Sequence, residues 1–212
     1  CTISALVFVF FEYLLTTVIV YDITKHYSVI IKEIFMEDKS SITSLISAFA
    51  RAVHAEYEEN PVFCDNLARR LLSDDEYKMI ENYVLGGIDF FEPGKKGCFS
   101  SDTDALRYLV NTHLAPTPLC RSAYCENTLK TAVKTGTEQY VILGTGLDTF
   151  AFREKEFAEK YKIFELDHPK TQADKLMRIK RANWEIPENL TFVDIDFTTD
   201  NIAAKLVKNG FN

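Results

Sequence analysis

The segment Gln139–Phe152 reads QYVILGTGLDTFAF and gives the strongest indication of the fold class. Its opening residues are mostly β-branched and apolar, a composition typical of a buried parallel strand. The strand is followed by two glycines one residue apart, Gly144 and Gly146, where the backbone can approach a ligand closely. We expect Asp148 and Thr149 to cap a helix there, so that free N–H groups face the turn.

An acidic residue ends the next predicted strand. Asp167 follows the strand Lys162–Leu166 at about 20 residues from the glycines, the offset at which a carboxylate meets ribose hydroxyls in doubly wound folds. The dinucleotide pattern GxGxxG is incomplete, because Thr149 occupies the place of its third glycine. The pattern therefore favours a nucleotide-type ligand without a pyrophosphate, and a tight turn that binds nothing is the alternative.

From residue 139 onward strands and helices alternate. The predicted order is strand Gln139–Leu143, helix Phe152–Lys160, strand Lys162–Leu166, helix Lys170–Arg181, strand Leu190–Ile195 and helix Thr199–Lys208. This alternation predicts an α/β fold with a mostly parallel sheet and right-handed crossovers. Since ligands of such sheets lie beyond the carboxyl ends of the strands, we expect Gly144, Asp167 and Asp196 to form one site.

The region ahead of the first strand has helical periodicity. The predicted helices are Ile42–Tyr57, Asp65–Leu72, Asp74–Leu85, Asp102–His113 and Arg121–Lys134. We expect residues 36–135 to form a helical cap over the carboxyl edge of the sheet, and residues 136–212 to form its first three strand and helix units. The two parts together are predicted to be one domain.

Composition excludes several classes of partner. A net charge of -7 and a pI near 5.2 argue against nucleic acid or an anionic membrane surface, since both favour basic patches. The five cysteines are scattered without a CxxC pair or histidines at zinc-ligand spacing. We therefore predict a cytoplasmic protein with reduced thiols, no metal and no covalent nucleophile.

We expect residues 1–35 to form a hydrophobic N-terminal extension. The segment 3–21 is apolar over about the 20 residues that a membrane span needs, but Glu12 lies in its middle. We expect residues 1–35 to lie outside the functional domain, with a membrane-associated helix as the alternative. Any membrane contact is expected only through residues 3–21.

Four motifs carry a resemblance to a known family. They are SAFARAVHAEYEENPVFCDNLARRLL (47–72), VILGTGLDTFAFR (141–153), FELDHPKTQADK (164–175) and FVDIDF (192–197), together with the Arg121 helix. In this order and at these spacings the chain resembles the leucine carboxyl methyltransferase family of S-adenosylmethionine-dependent O-methyltransferases, which includes polyketide O-methyltransferases. The resemblance covers residues 36–212 and implies a Rossmann-like class I methyltransferase fold.

The resemblance also implies roles for particular residues. Gly144 and Gly146 would lie under the methionine part of the cofactor, and Asp167 would bind the ribose hydroxyls. Asp196 with Phe197 would lie beside the adenine. The matching family arginine at Arg121 would pair with the methionine carboxylate, and Arg51 is a weaker match to a second basic contact. The implied acceptor is a carboxylate or hydroxyl group of a small molecule or peptide.

The chain departs from the family in its length. It stops at Asn212 after its third strand and helix unit, whereas the family's sheet continues with strands that carry much of the acceptor pocket. We therefore expect a C-terminally truncated methyltransferase. Two alternatives stay open at this point: an NAD-binding dehydrogenase fragment, and a non-catalytic remnant that binds a cofactor or is anchored to a membrane.

Overall fold

The computed structural model describes residues 42–212. The hydrophobic segment 3–21 and the predicted extension 1–35 lie outside the described residues. Within 42–212, no helix is both long enough and apolar enough to cross a membrane.

Helices dominate the part of the chain that precedes the sheet. They are α1 (Ile42–Tyr57), α2 (Ala68–Leu71), α3 (Asp74–Gly86), α4 (Ile88–Phe91), α5 (Asp102–Leu109), a π-helical turn (Val110–Leu114), α6 (Pro116–Ala132) and a 3-10 turn (Val133–Thr135). Local chemistry sets several of these boundaries. Ser73 begins α3 with a capping box to Glu76, and Gly136 ends the 3-10 turn with φ +98.

Strands and helices alternate in the remainder of the chain. They are β1 (Gln139–Leu143), α7 (Phe150–Arg153), α8 (Lys155–Lys160), β2 (Lys162–Asp167), α9 (Pro169–Arg181), β3 (Leu190–Asp194) and α10 (Ile202–Lys208). The bounds of β1 agree with the sequence prediction. The helix predicted over Phe152–Lys160 is instead two short helices, because Glu154 leaves the helical region with φ -96 and ψ 61.

The helix that carries Arg121 begins earlier than its sequence predicted. It starts at Pro116, five residues before Arg121. Proline suits the first helical position, because its fixed φ matches the helix and its missing N–H has no intrahelical partner there. Arg121 therefore lies in the second turn of a 17-residue helix rather than at a helix end.

The three strands form one parallel sheet in the order β1-β2-β3. Leu143 pairs with Leu166, and Asp167 pairs with Asp194, so the three carboxyl ends lie at one edge. These observations confirm the predicted α/β class and the parallel sheet.

Each face of the sheet is covered by its own apolar cluster. On one face, Tyr140, Ile142 and Ile163 join a large core with residues from α1 to α6. On the other face, strand residues such as Phe164 and Leu166 pack with Leu206 of α10. The helices that precede the sheet thus share one core with it.

A buried arginine joins the helical region to the sheet. Arg178 of α9 is 2% exposed and donates to Glu76 through both terminal nitrogens, at 2.7 Å each. It also donates to the Leu71 carbonyl and pairs with Asp174 through Nε. Burial opposes ionisation of Glu76, but the hydrogen bonds from Arg178 and from the Ser73 backbone lower its pKa to about 2.

Replacing Glu76 with glutamine should lower the free energy of unfolding at pH 7 by about 2–3 kcal/mol. The lowered pKa means that this contribution is present above pH 4.5 and is lost as the pH falls toward 2. Wild type and E76Q should therefore converge in urea titrations run through that window. Glutamine keeps an acceptor for the Ser73 N–H, so the helix cap is retained.

Asp89→Asn is the matched control, because Asp89 pairs with Lys96 on the open surface. We expect no measurable change in stability from it. A constant difference between wild type and E76Q from pH 7 to pH 2 would contradict the assigned role of the Glu76 charge.

Candidate functional site

The turn after β1 is built on two glycines with positive φ. Gly144 has φ +66 and Gly146 has φ +50, a region that side chains rarely adopt. A Cβ at Gly144 would have no other residue of the described range 42–212 within 4 Å beyond its chain neighbours, whereas one at Gly146 would lie 2.7 Å from Cβ of Ser44 in α1. The first glycine thus leaves open space, and the second allows α1 to pack against the turn.

Asp167 ties the end of β2 to this turn. Its two carboxylate oxygens accept hydrogen bonds from the backbone N–H of Gly146 at 2.6 Å and of His168 at 2.7 Å. Burial raises the pKa of Asp167, and these two hydrogen bonds oppose the rise. Each oxygen keeps a second lone pair for a further donor such as a hydroxyl group.

Arg121 reaches the same turn from α6. It lines a cleft together with Pro118, Ser122, Cys125, Glu126, Tyr140, Ile142, Leu143, Gly144, Thr145, Asp148 and Phe150. Its Nε is buried and has no hydrogen-bond partner in residues 42–212. A buried guanidinium nitrogen without an acceptor is costly, so this group is suited to an anionic ligand.

Asp196 and Phe197 follow β3 at the same edge. The N–H of Ile195 donates to the carbonyl of Asp167 at 2.9 Å, which places Asp196 next to the end of β2. The Asp196 carboxylate accepts from the backbone and hydroxyl of Thr198, and Phe197 is 39% exposed. Asp196, Phe197 and Asp167 do not line the Arg121 cleft itself. Asp167 is joined to the glycine turn through its hydrogen bond from the Gly146 N–H.

Arg51 lies behind the glycine turn. It is 5% exposed and pairs with Asp65 at 2.8 Å, and it donates to Ser47 and to the carbonyl of Leu147. Since Nε and both terminal nitrogens are already hydrogen-bonded, the arrangement fits support of the turn better than contact with a ligand. The structure therefore does not bring Arg51 to the cleft beside Arg121.

Arg153 of α7 supports the cleft wall by binding Glu126, which lines the cleft. Its terminal nitrogens donate to both carboxylate oxygens of Glu126, and Nε donates to Thr149. Burial raises the pKa of Glu126, while Arg153 opposes that rise. Sequence patterns gave no sign of this pair, because its members are 27 positions apart on different elements.

Beneath the turn, a buried ion pair joins β2 to α9. Glu165 and Lys175 are 0% and 1% exposed and are in direct contact. Burial raises the pKa of Glu165 to about 6, Lys175 lowers it, and the charges of Asp148 and Asp167 add to the rise. The contact with Lys175 thus offsets part of the cost of burying the Glu165 carboxylate.

The potential metal ligands do not converge. Within residues 42–212, no group of three or more histidine, cysteine or acidic side chains is arranged to hold a metal ion.

The fold and the site together define a class of protein. A parallel sheet with a glycine turn after its first strand and a carboxylate ending its second strand is typical of Rossmann-like proteins with nucleotide-type ligands. The family model for leucine carboxyl methyltransferase matches residues 44–212. The chain belongs to the leucine carboxyl methyltransferase family, which confirms the resemblance carried by its motifs.

Two curated bacterial proteins are similar to the chain. "Putative S-adenosyl-L-methionine-dependent methyltransferase YktD" of Bacillus subtilis (strain 168) is 41% identical over 176 residues, covering 82% of this chain and 58% of that protein. "Putative S-adenosyl-L-methionine-dependent methyltransferase" of Saccharopolyspora erythraea is 34% identical over 94 residues, covering 43% of this chain and 31% of that protein. The chain thus aligns with less than two thirds of either relative.

Proposed function

We propose that the protein is an S-adenosylmethionine-dependent methyltransferase that methylates an oxygen atom of a carboxylate or hydroxyl group. The observation that carries the proposal is the Arg121 cleft, where a buried guanidinium nitrogen that finds no hydrogen-bond acceptor within residues 42–212 lies beside the open glycine turn at Gly144. Family membership and the names of both relatives support the choice of cofactor.

The chain's residues fit the methionine end of this cofactor. Arg121 has the charge and the planar donor geometry for the methionine carboxylate. Gly144 leaves space for a ligand because it has no side chain, and Gly146 lets the turn keep its shape against α1. Arg51 would act through the Leu147 carbonyl as a positioning residue.

The same edge fits the nucleoside end. Asp167 would accept both ribose hydroxyls through lone pairs that its backbone hydrogen bonds leave available. The half-exposed ring of Phe197 and the Asp196 carboxylate would lie beside the adenine. A pyrophosphate is disfavoured, because Thr149 is buried where a dinucleotide turn has its third glycine.

The cofactor would supply an electrophilic methyl group on a sulfonium, and the acceptor oxygen would take it as the sulfonium becomes a neutral thioether. The chain's contribution is orientation: the glycine turn and Arg121 would hold the reacting centres in line, an effect that is worth several kcal/mol in general, or about 7–11 at best. A carboxylate acceptor is already ionised at neutral pH, so it needs no general base.

The chemistry of the product tests this proposal. The purified protein would be incubated with methyl-labelled S-adenosylmethionine and a panel of carboxylic acids, phenols and peptides with free carboxyl termini. We expect the label on oxygen, either as an ester that mild base hydrolyses to methanol or as an ether that survives it. Label on nitrogen or carbon, located by mass spectrometry, would contradict O-methylation.

A further inference from the structure

The cleft beside Gly144 holds two carboxylates with different surroundings. Glu126 is engaged by Arg153 through both oxygens. Asp148 is half-buried in the same wall and forms no ion pair within residues 42–212. Its Oδ1 accepts the Phe150 N–H at 2.7 Å, which leaves Oδ2 without a hydrogen-bond donor among residues 42–212. Asp148 is therefore the carboxylate that is available to a ligand.

Arg121 and Asp148 line the same cleft. Burial raises the pKa of the Cys125 thiol, the Arg121 charge opposes the rise, and the Asp148 charge adds to it. Both charges are thus within interaction range of one side chain that also lines the cleft. A guanidinium nitrogen without an acceptor and a carboxylate without an ion pair, both judged within residues 42–212, thus share one small concave surface.

A free positive and a free negative group in one cleft match an α-amino acid, which carries a carboxylate and an ammonium on one carbon atom. We propose that Asp148 binds the α-ammonium group of the cofactor's methionine end while Arg121 binds its carboxylate. This inference rests on the proposed function. It adds which side chain of the cofactor site binds the carboxylate and which binds the ammonium group. Asp148 is a specificity-determining residue for zwitterionic ligands, in addition to capping the turn before α7.

Isothermal titration with three ligands tests the assignment without turnover. The probes are S-adenosylhomocysteine, its desamino analogue, which keeps the carboxylate, and its decarboxylated analogue, which keeps the amine. Wild type should bind S-adenosylhomocysteine about tenfold or more tightly than the desamino analogue, since a hydrogen-bonded charge is lost. In Asp148→Asn this preference should disappear, while affinity for the desamino analogue stays within about twofold of wild type.

The variant and its control separate binding from structure. Asparagine retains an Oδ1 acceptor for the Phe150 N–H, so the local cap is kept. Asp196→Asn is the matched control at the nucleoside end and should weaken all three ligands by the same factor. Arg121→Met should remove the preference for S-adenosylhomocysteine over the decarboxylated analogue instead.

The outcomes distinguish this inference from the proposed function. If wild type binds none of the three ligands, the cofactor assignment fails and the inference fails with it. If wild type binds S-adenosylhomocysteine without preferring it to the desamino analogue, or if D148N keeps that preference, only the role of Asp148 is overturned. The wild-type comparison alone is decisive should D148N fail to fold.

Discussion

Gly144→Ala is expected to abolish measurable cofactor binding while the protein stays folded. A methyl group at this position has no atom of residues 42–212 within 4 Å beyond its chain neighbours, so the described fold loses only about 1–2 kcal/mol for a side chain at φ +66. The same methyl group would take up the open space beside Arg121 where the ligand is proposed to bind. A steric clash between this methyl group and the ligand would cost several kcal/mol of binding free energy. The affinity for S-adenosylhomocysteine should therefore fall about 100-fold or more.

Titration calorimetry measures the binding, and urea unfolding measures the stability. Gly136→Ala is the control for backbone strain, since Gly136 also has positive φ and lies at the opposite end of β1. A Cβ there would have no atom from the described part of the chain within 4 Å beyond its neighbours. It should lower stability by a similar amount and leave affinity unchanged. If G144A binds the ligand as tightly as G136A does, the cleft at Gly144 is not the cofactor site.

Gly146→Ala should have the larger effect on stability. It combines a side chain at φ +50 with a new Cβ only 2.7 Å from Cβ of Ser44, a contact that forces α1 or the turn to move. Strain of about 1–2 kcal/mol and overpacking of about 1–3 kcal/mol together give an expected loss of about 2–5 kcal/mol. Urea unfolding of wild type and variant provides the measurement.

A double-mutant cycle isolates the contact between α1 and the turn. Ser44→Gly removes the Cβ that the new methyl group would meet, and its own effect on stability is measured separately in the cycle. The two substitutions should therefore be less destabilising together than the sum of their separate effects, by about 1–3 kcal/mol. If the two changes in unfolding free energy simply add, the new methyl group at position 146 does not contact the Ser44 side chain.

The sequence was sufficient for the features that repeat along the chain. The run Gln139–Leu143 has all five residues buried, and its composition alone predicted that strand with its correct ends. Asp167 and Asp196 were predicted at one edge because parallel strands share their direction; β2 ends at Asp167, and β3 ends two residues before Asp196. Local periodicity and chain direction depend only on residues close together in the sequence, so a sequence pattern is enough to predict them.

Contacts between distant positions were beyond sequence patterns. Ser44 lies against Gly146, and Arg51 donates to the Leu147 carbonyl 96 positions away, because the three-dimensional packing of α1 brings them together. Arg121 entered only through the family resemblance; on its own it fits an ordinary surface arginine of a helix. Asp148 was predicted only as a helix cap. That it forms no ion pair within residues 42–212 depends on Arg153 binding Glu126 instead, a contact between distant positions.

The most direct test of the central claim is to titrate the purified protein with S-adenosylhomocysteine and, separately, with NAD in a calorimeter. We predict saturable one-to-one binding of S-adenosylhomocysteine, lost in G144A, and no binding heat with NAD. Saturable binding of NAD without binding of S-adenosylhomocysteine would contradict the account and favour a dehydrogenase-type site at the same glycine turn.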